Sequence, residues 1–252
     1  MRAKPTQLYE DLPKNRLRCG RGGADNEYVS MTDSNHAFRP VAGSAARPPE
    51  DLFEIVVVCT GNQFRSPIVA GLIRSAASHL PVLVTSLGTM KLPPVHALPE
   101  AVALGAELGV DLSGHRARSM RNVDLSSADL VVGFEFQHVA ASVVDAGARA
   151  ERTFTALELV HLLEGQRVPP GADIVSHARR MVALADARRI PGAAPTSAFQ
   201  IHDPVEAGPA GHRAVVAQLE AASERLLEGL FGASLRPVPQ RIVAEDVWVA
   251  AR

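Results

Sequence analysis

Cys59 and Arg65 stand six positions apart in VVVCTGNQFRSP (residues 56–67), with Gly61 and Asn62 between them and Ser66-Pro67 directly after. A thiol and a guanidinium at that spacing suit covalent chemistry on an anion. The sulfur attacks, and the arginine forks onto two oxygens in a way lysine cannot match. Spacing alone is weak evidence, because a cysteine closing an apolar run can simply be buried. The context says more: Thr60-Gly61-Asn62 follows, where a structural cysteine would have bulky apolar neighbours. A loop wrapped between Cys59 and Arg65 can turn successive backbone N–H groups inward as an anion nest. Ser66 reads as the N-cap of a following helix and Pro67 as its first helical residue, so a positive helix end points at the same place. Both devices stabilise negative charge, on a phosphate and on the Cys59 sulfur, and favour the nucleophilic thiolate. Asn62 tolerates left-handed backbone angles, which gives it a local reason to sit mid-loop.

The elements that must position this loop follow from periodicity. FEIVVVC (53–59) is a continuous apolar run, as expected of a strand buried on both faces. SPIVAGLIRSAASHL has helical spacing, VLVTS (82–86) is a second strand, and LPEAVALGAEL (98–108) is a helix stopped by Gly109. ADLVVGF (128–134) is a third strand with FQHVAASVVDA as its helix, and ERTFT (151–155) a short fourth strand followed by ALELVHLLEG. DIVSHARRMVALADARR (173–189) is a further helix. A last one starts near Gly208-Pro209, with Val215, Leu219, Ala222, Leu226 and Leu230 as its apolar stripe. This alternation predicts an α/β domain, three layers in α-β-α order around a central four-stranded parallel sheet, with the phosphate-binding loop after the first strand. In such sheets ligands bind beyond the carboxyl ends of strands at a switch in strand order, which is where Cys59 falls if FEIVVVC is an inner strand.

The 252-residue chain, 46% hydrophobic, can bury one core of about 150–200 residues plus appendages. Residues 1–51, rich in Arg, Gly, Asn, Pro and Ser, read as a mostly disordered arm, with Met31 an alternative start. The domain is expected over 52–232 and a tail over 233–252. A net charge of −1, with the arginines scattered, predicts no nucleic-acid partner. No apolar run approaches the ~20 residues of a membrane span, so no membrane insertion is expected, and the N-terminus has no signal-peptide core. Cys19 and Cys59 are the two cysteines, which fits a reducing cytoplasm and gives no structural zinc site.

C-T-G-N-Q-F-R-S-P resembles the phosphate loop of the low-molecular-weight protein tyrosine phosphatase family. Further resemblances follow in the family's order: S-L-G-T (86–89) after the second strand, H-R-A-R (115–118), A-D-L-V-V (128–132) and H-D-P (202–204), with T-F-T-A-L-E-L (153–159) similar to actinobacterial members. Coverage runs from about Phe53 to Phe231. The resemblance implies a phosphomonoesterase that needs no cofactor or metal and takes a phosphorylated protein or a small phosphomonoester. Cys59 would be its nucleophile, Arg65 its phosphate clamp and Asp203 its general acid and then base. Backbone N–H groups of Thr60, Gly61, Asn62, Gln63, Phe64 and Arg65 would cradle the phosphate, and Ser66 would donate its hydroxyl to the sulfur. Asn62, Ser66, Ser86 and His115 would form a buried set supporting the loop. His202 reads as a loop histidine, and Asp203-Pro204 on its own as turn chemistry.

Several positions depart from the family's pattern. Phe64 stands where a second cysteine usually guards the first, so oxidised Cys59 lacks its disulfide partner. Gln63 puts an amide at the pocket's rim, and Met90, Lys91, Leu92 and Val205 replace aromatic neighbours. The interval from Cys59 to Asp203 is long, and the surplus is expected in 164–197 as an added helix and loop. Two alternatives stay open: a non-catalytic phosphate-binding relative, and an arsenate reductase, which would need relay cysteines that the domain lacks.

Overall fold

The computed structural model describes residues 52–166, 173–192 and 196–232. The expected disordered arm and the tail over 233–252 lie outside the described residues. Four strands, β1 (Phe53–Cys59), β2 (Val82–Gly88), β3 (Leu130–Gly133) and β4 (Thr153–Thr155), form one sheet in the order β2-β1-β3-β4. Every pairing is parallel, with Cys59 opposite Gly88 and Val58 opposite Gly133. β1 is therefore an inner strand. The chain leaves it towards β2 on one side and later returns to β3 on the other, so its carboxyl end lies at the switch in strand order.

Among the described residues six α-helices, α1 (Arg65–Ala76), α2 (Pro99–Glu107), α3 (Phe136–Ala146), α4 (Ala156–Leu163), α5 (Ile174–Ala187) and α6 (Gly208–Phe231), cover both faces of the sheet. Period-two alternation divides β1 between two cores. Phe53, Ile55 and Val57 face the larger one with Ile68, Leu159, Met181, Leu219 and Leu226, while Val56 and Val58 join Leu87, Met120, Leu125 and Val131 on the other face. Double burial explains the apolar run from Ile55 to Cys59, while Glu54 is only partly buried and belongs to neither core. In α6 Leu219, Ala222, Leu226 and Leu230 are buried as the stripe predicts, but Val216 is buried more deeply than Val215. No described helix is long and apolar enough to cross a membrane.

One boundary corrects the sequence reading. The residue at the N-cap of α1 is Phe64, without a side-chain cap, and Ser66 is already inside the helix. Pro67 thus lies third in the first turn, where its missing N–H still costs no intrahelical bond.

α5 lies within 164–197, the interval where a surplus helix is expected, and it is fastened to the amino ends of the strands. Arg179 bonds Asp129 Oδ1 at 2.8 Å and the carbonyl of Leu52 at 3.1 Å. Just past α5, Arg189 meets Glu158 Oε1 at 2.9 Å, the Thr153 carbonyl at 2.6 Å and the Ala150 carbonyl at 2.9 Å. Its guanidinium also lies 3.8 Å from the centre of the Phe154 ring. Arg189→Ala is expected to cost about 2 kcal/mol, because it strips charged hydrogen bonds and a cation–π contact from partly buried partners. A fall in the urea midpoint at unchanged slope, against a neutral Arg188→Ala control, checks this.

Candidate active site

The residues between β1 and α1 fold tightly around the Cys59 sulfur. Asn62 N–H donates to Cys59 Sγ at 3.2 Å, and Ser66 Oγ lies 3.0 Å from the same sulfur. Asn62 sits in the left-handed region at φ 53°, with its side chain fully buried. Its Nδ2 donates to Ser66 Oγ at 2.9 Å, its Oδ1 accepts from Arg118 N at 2.8 Å, and its carbonyl oxygen is 2.8 Å from His115 Nε2. A carbonyl only accepts, so His115 carries its proton on Nε2. Burial, with Arg74 and Arg118 nearby, outweighs that bond and keeps the His115 pKa below the usual value. Among the described residues, no hydrogen bond within the protein engages the backbone N–H groups of Gly61, Gln63, Phe64 or Arg65. Those donors are free for an anion.

Gly88 floors the loop. A Cβ there would come within 2.9 Å of the Thr60 carbonyl oxygen and 3.0 Å of Asn62 N, so only glycine fits beneath it. Thr89 N–H bonds the Cys59 carbonyl at 2.9 Å, and Met90 N–H bonds that of Thr60 at 3.0 Å, tying the segment after β2 to the loop.

Arg65 is 1% exposed and hydrogen-bonded on both terminal nitrogens. Nη1 reaches Glu135 Oε2 at 3.0 Å and the Ile201 carbonyl at 2.9 Å; Nη2 reaches Thr60 Oγ1 at 3.2 Å and Asp203 Oδ2 at 2.5 Å. Burial pushes the Glu135 carboxyl up, but hydrogen bonds from Gln137 and Arg65 and the charge of Arg65 together outweigh it and hold it below the usual range. Three residues on, His138 Nε2 is 3.0 Å from Thr60 Oγ1. Its Nδ1 accepts from the N–H groups of Phe134 and Glu135 at 3.2 and 3.1 Å. Burial first, and Arg65 second, lower the His138 pKa from 6.5 to about 4 against the pull of Glu135 and Asp203, so this imidazole is neutral.

A buried thiol, a set of unpaired loop amides and an arginine held between two carboxylates thus meet at the carboxyl end of β1. The low molecular weight phosphotyrosine protein phosphatase family matches residues 54–166. Protein-arginine-phosphatase of Bacillus subtilis (strain 168) is 33% identical over 119 residues, which are 46% of this chain and 79% of that protein. The chain belongs to the low molecular weight phosphotyrosine protein phosphatase family. EpsP of Ralstonia solanacearum, a probable low molecular weight protein-tyrosine-phosphatase, is 37% identical over 78 residues, 31% of this chain. The chain spans about half of that relative's length, 52%. The crystal structure of the low molecular weight protein tyrosine phosphatase from T. tengcongensis superposes with a TM-score of 0.52 at 25% identity, covering 71% of this chain and 99% of that one.

Within this phosphatase fold the expected residues are not all placed as the sequence suggests. Cys59, Asn62, Arg65, Ser66, His115 and Asp203 converge on the loop, but Ser86 does not join them. It is buried opposite Val57, and no described hydrogen bond runs from its hydroxyl to the loop; Ser66 instead reaches past it to the Leu87 carbonyl at 3.3 Å. Phe64 lends the loop only its backbone: its ring is 3% exposed and lies 5.4 Å from the His212 ring on α6. The Gln63 amide donates to the His96 carbonyl at 3.1 Å. His202 is 70% exposed, with Nδ1 3.5 Å from Glu135 Oε1.

Sequence reasoning missed Glu135, His138 and the Ile201 carbonyl. A signal existed for the first two: FEFQH (134–138) puts a carboxylate and an imidazole directly after β3, the strand beside β1, at the end of the sheet where the loop had been placed.

His138 also gives the fold a pH signature. Its folded pKa lies below the unfolded value, so the unfolded chain binds more protons between 6.5 and about 4. Stability from this group is complete above that window and falls by roughly 3 kcal/mol as pH drops through it. Denaturant titrations from pH 7 to pH 4 should show the decline, and a shallower one for His138→Asn, which keeps an acceptor near Nδ1 and removes the titrating ring.

Proposed function

We propose that this protein is a phosphomonoester hydrolase of the protein-tyrosine-phosphatase type that works through a phosphocysteine intermediate. The observation that carries the reading is the pairing of Arg65 with Asp203 Oδ2 at 2.5 Å, 138 residues apart in sequence, beside the loop that hydrogen-bonds the Cys59 sulfur. Nucleophile and clamp share one short loop and the acid comes from a segment 138 residues beyond the clamp, and phosphate binding alone needs neither a thiol nor a second carboxylate.

In the first step the Cys59 thiolate attacks phosphorus, forming the S–P bond as the ester P–O bond breaks. The free amides of Gly61, Gln63, Phe64 and Arg65 receive the equatorial oxygens. Arg65 is held from behind through Nη1 by Glu135 and Ile201, so its Nε–Nη2 edge is the fork left for phosphate, with Asp203 yielding Nη2 as substrate enters. Asp203 protonates the departing oxygen. In the second step the same carboxylate takes a proton from water, the water oxygen displaces sulfur from phosphorus, and Asn62 N–H, with the Ser66 hydroxyl turned from the Leu87 carbonyl to sulfur, stabilises the thiolate that leaves. No step calls on a metal or cofactor.

By name, the relatives divide between tyrosine and arginine phosphatases. An aryl phosphate suits this mouth better. Met90 and Val205 are 48% and 57% exposed, Leu92 Cδ1 would lie 3.7 Å from a Cβ on Gly61, and these aliphatic groups favour a ring over a hydrated cation. An unpaired Cys59 as nucleophile fits a reducing compartment such as the cytoplasm.

Steady-state hydrolysis of p-nitrophenyl phosphate at pH 5–7 in EDTA tests the proposal. Turnover is expected in wild type, none in Cys59→Ser, and a kcat lowered about 10²–10³-fold in Asp203→Ala. Wild-type protein that binds vanadate without turnover would instead make this a phosphate-binding relative.

A further inference from the structure

Thr60 carries a hydrogen-bond donor that the mechanism above leaves unused. A hydroxyl has two acceptor lone pairs and one proton. Thr60 Oγ1 accepts from Arg65 Nη2 at 3.2 Å, since a guanidinium can only donate. Its other contact is His138 Nε2 at 3.0 Å. The tautomer of that imidazole is fixed, because Nδ1 already accepts from the backbone N–H groups of Phe134 and Glu135 at 3.2 and 3.1 Å. The proton of His138 therefore sits on Nε2, 3.0 Å from Thr60 Oγ1 and farther, 3.5 Å, from Glu135 Oε2. Both lone pairs of the hydroxyl are taken, and no acceptor for its own proton is found among the described residues.

We propose that Thr60 Oγ1–H is a side-chain donor to the phosphoryl group, aimed by His138, which acts as a positioning residue. The inference rests on the phosphohydrolase reading and names a contact that reading did not include. Thr60 is half-buried on the first residue of the loop, and its oxygen touches the same Arg65 nitrogen that meets Asp203. Substrate oxygens displacing Asp203 from Nη2 arrive beside this hydroxyl. A protonated His138 would lose its two amide donors at Nδ1, so burial, which resists that charge, also keeps the hydroxyl's proton free. The chemistry is that of one added donor to a dianion, and of a stronger one to the more charged transition state.

The test compares Thr60→Val, which keeps the shape and deletes the donor, with Thr60→Ser, which keeps both lone pairs and the proton. Readouts are kcat/KM for p-nitrophenyl phosphate and inhibition by vanadate, a mimic of the pentacoordinate state, against inorganic phosphate. Thr60→Val is expected to lose about tenfold in kcat/KM and in vanadate affinity, with less loss for phosphate, and Thr60→Ser to stay within about threefold of wild type. His138→Asn, which deletes Nε2–H and retains an acceptor near Nδ1, should lower kcat/KM several-fold in the Thr60 protein and add nothing in Thr60→Val. Thr60→Val within twofold of wild type, Thr60→Ser as impaired as Thr60→Val, or equal His138→Asn losses in both backgrounds would each overturn the proposal. If Thr60→Val does not fold, Thr60→Ala against Thr60→Ser gives the same comparison. Wild type that binds vanadate but turns nothing over sinks the hydrolase reading alone, and the affinities still decide the role of Thr60; binding of neither anion sinks both.

Discussion

Every polar group of Asn62 is engaged in holding the 60–65 loop. Its N–H goes to sulfur, its amide to Ser66 and from Arg118, and its carbonyl oxygen to His115, all from a buried position at φ 53°. The backbone angle costs of order 1 kcal/mol for a residue other than glycine. Each buried group would cost about 1–3 kcal/mol if left unmet, so the full set overdetermines a shape the chain would not otherwise adopt. Its partners come from α1 and from the 115–118 segment, while Gly88 lies directly beneath. The pairing of Cys59 with Gly88 sets that relation. A slip of one residue would put a side chain where only glycine fits and turn the sulfur away from the loop.

Arg65 poses the second constraint. A guanidinium only 1% exposed is tolerable when its charge is paired and its donors are used. Glu135 supplies charge and the Ile201 carbonyl supplies a neutral acceptor, both on Nη1, and this fixes the plane of the group without covering its other edge. Ile201 is itself held, because its N–H bonds the Phe134 carbonyl at 2.8 Å. The residue that steers Arg65 is thus two positions before Asp203, and one short segment aligns both.

The strands and helices were legible because the apolar residues of β1 all meet a core and α6 carries a clear stripe; in such elements burial writes directly into residue type. The loop residues were legible for a different reason, since cysteine, glycine, asparagine and arginine together have few uses. Ser66 was only half legible. An N-cap and a sulfur partner call for the same hydroxyl, and which one applies depends on whether the helix begins at 65 or 66. Ser86 and Glu135 failed in opposite directions. Ser86 sits in a matching motif but is held by the sheet opposite Val57, whereas Glu135 and Ile201 act through contacts 70 and 136 residues from Arg65, and no local pattern encodes them. Phe64 was informative as a missing cysteine, but the place of its ring, beside His212, is a tertiary fact.

The long interval before Asp203 is accommodated by the polarity of a parallel sheet. Asp129, Leu52, Ala150 and Thr153, to which Arg179 and Arg189 attach α5, lie at or just before the starts of strands. Cys59, Gly88 and Glu135 lie at or just after the ends. At the first end α5 contributes Val175, Ala178, Met181 and Val182 to the larger core without entering the loop region. The returning segment must then find the opposite end again, and it does so through backbone and amide contacts: Ile201 N–H to Phe134, and Gln200 Oε1 from Phe136 N–H at 3.1 Å. Those contacts depend on β3 and the start of α3, not on the length of what precedes them. The spacing between Cys59 and Asp203 can therefore drift while the geometry at Arg65 does not.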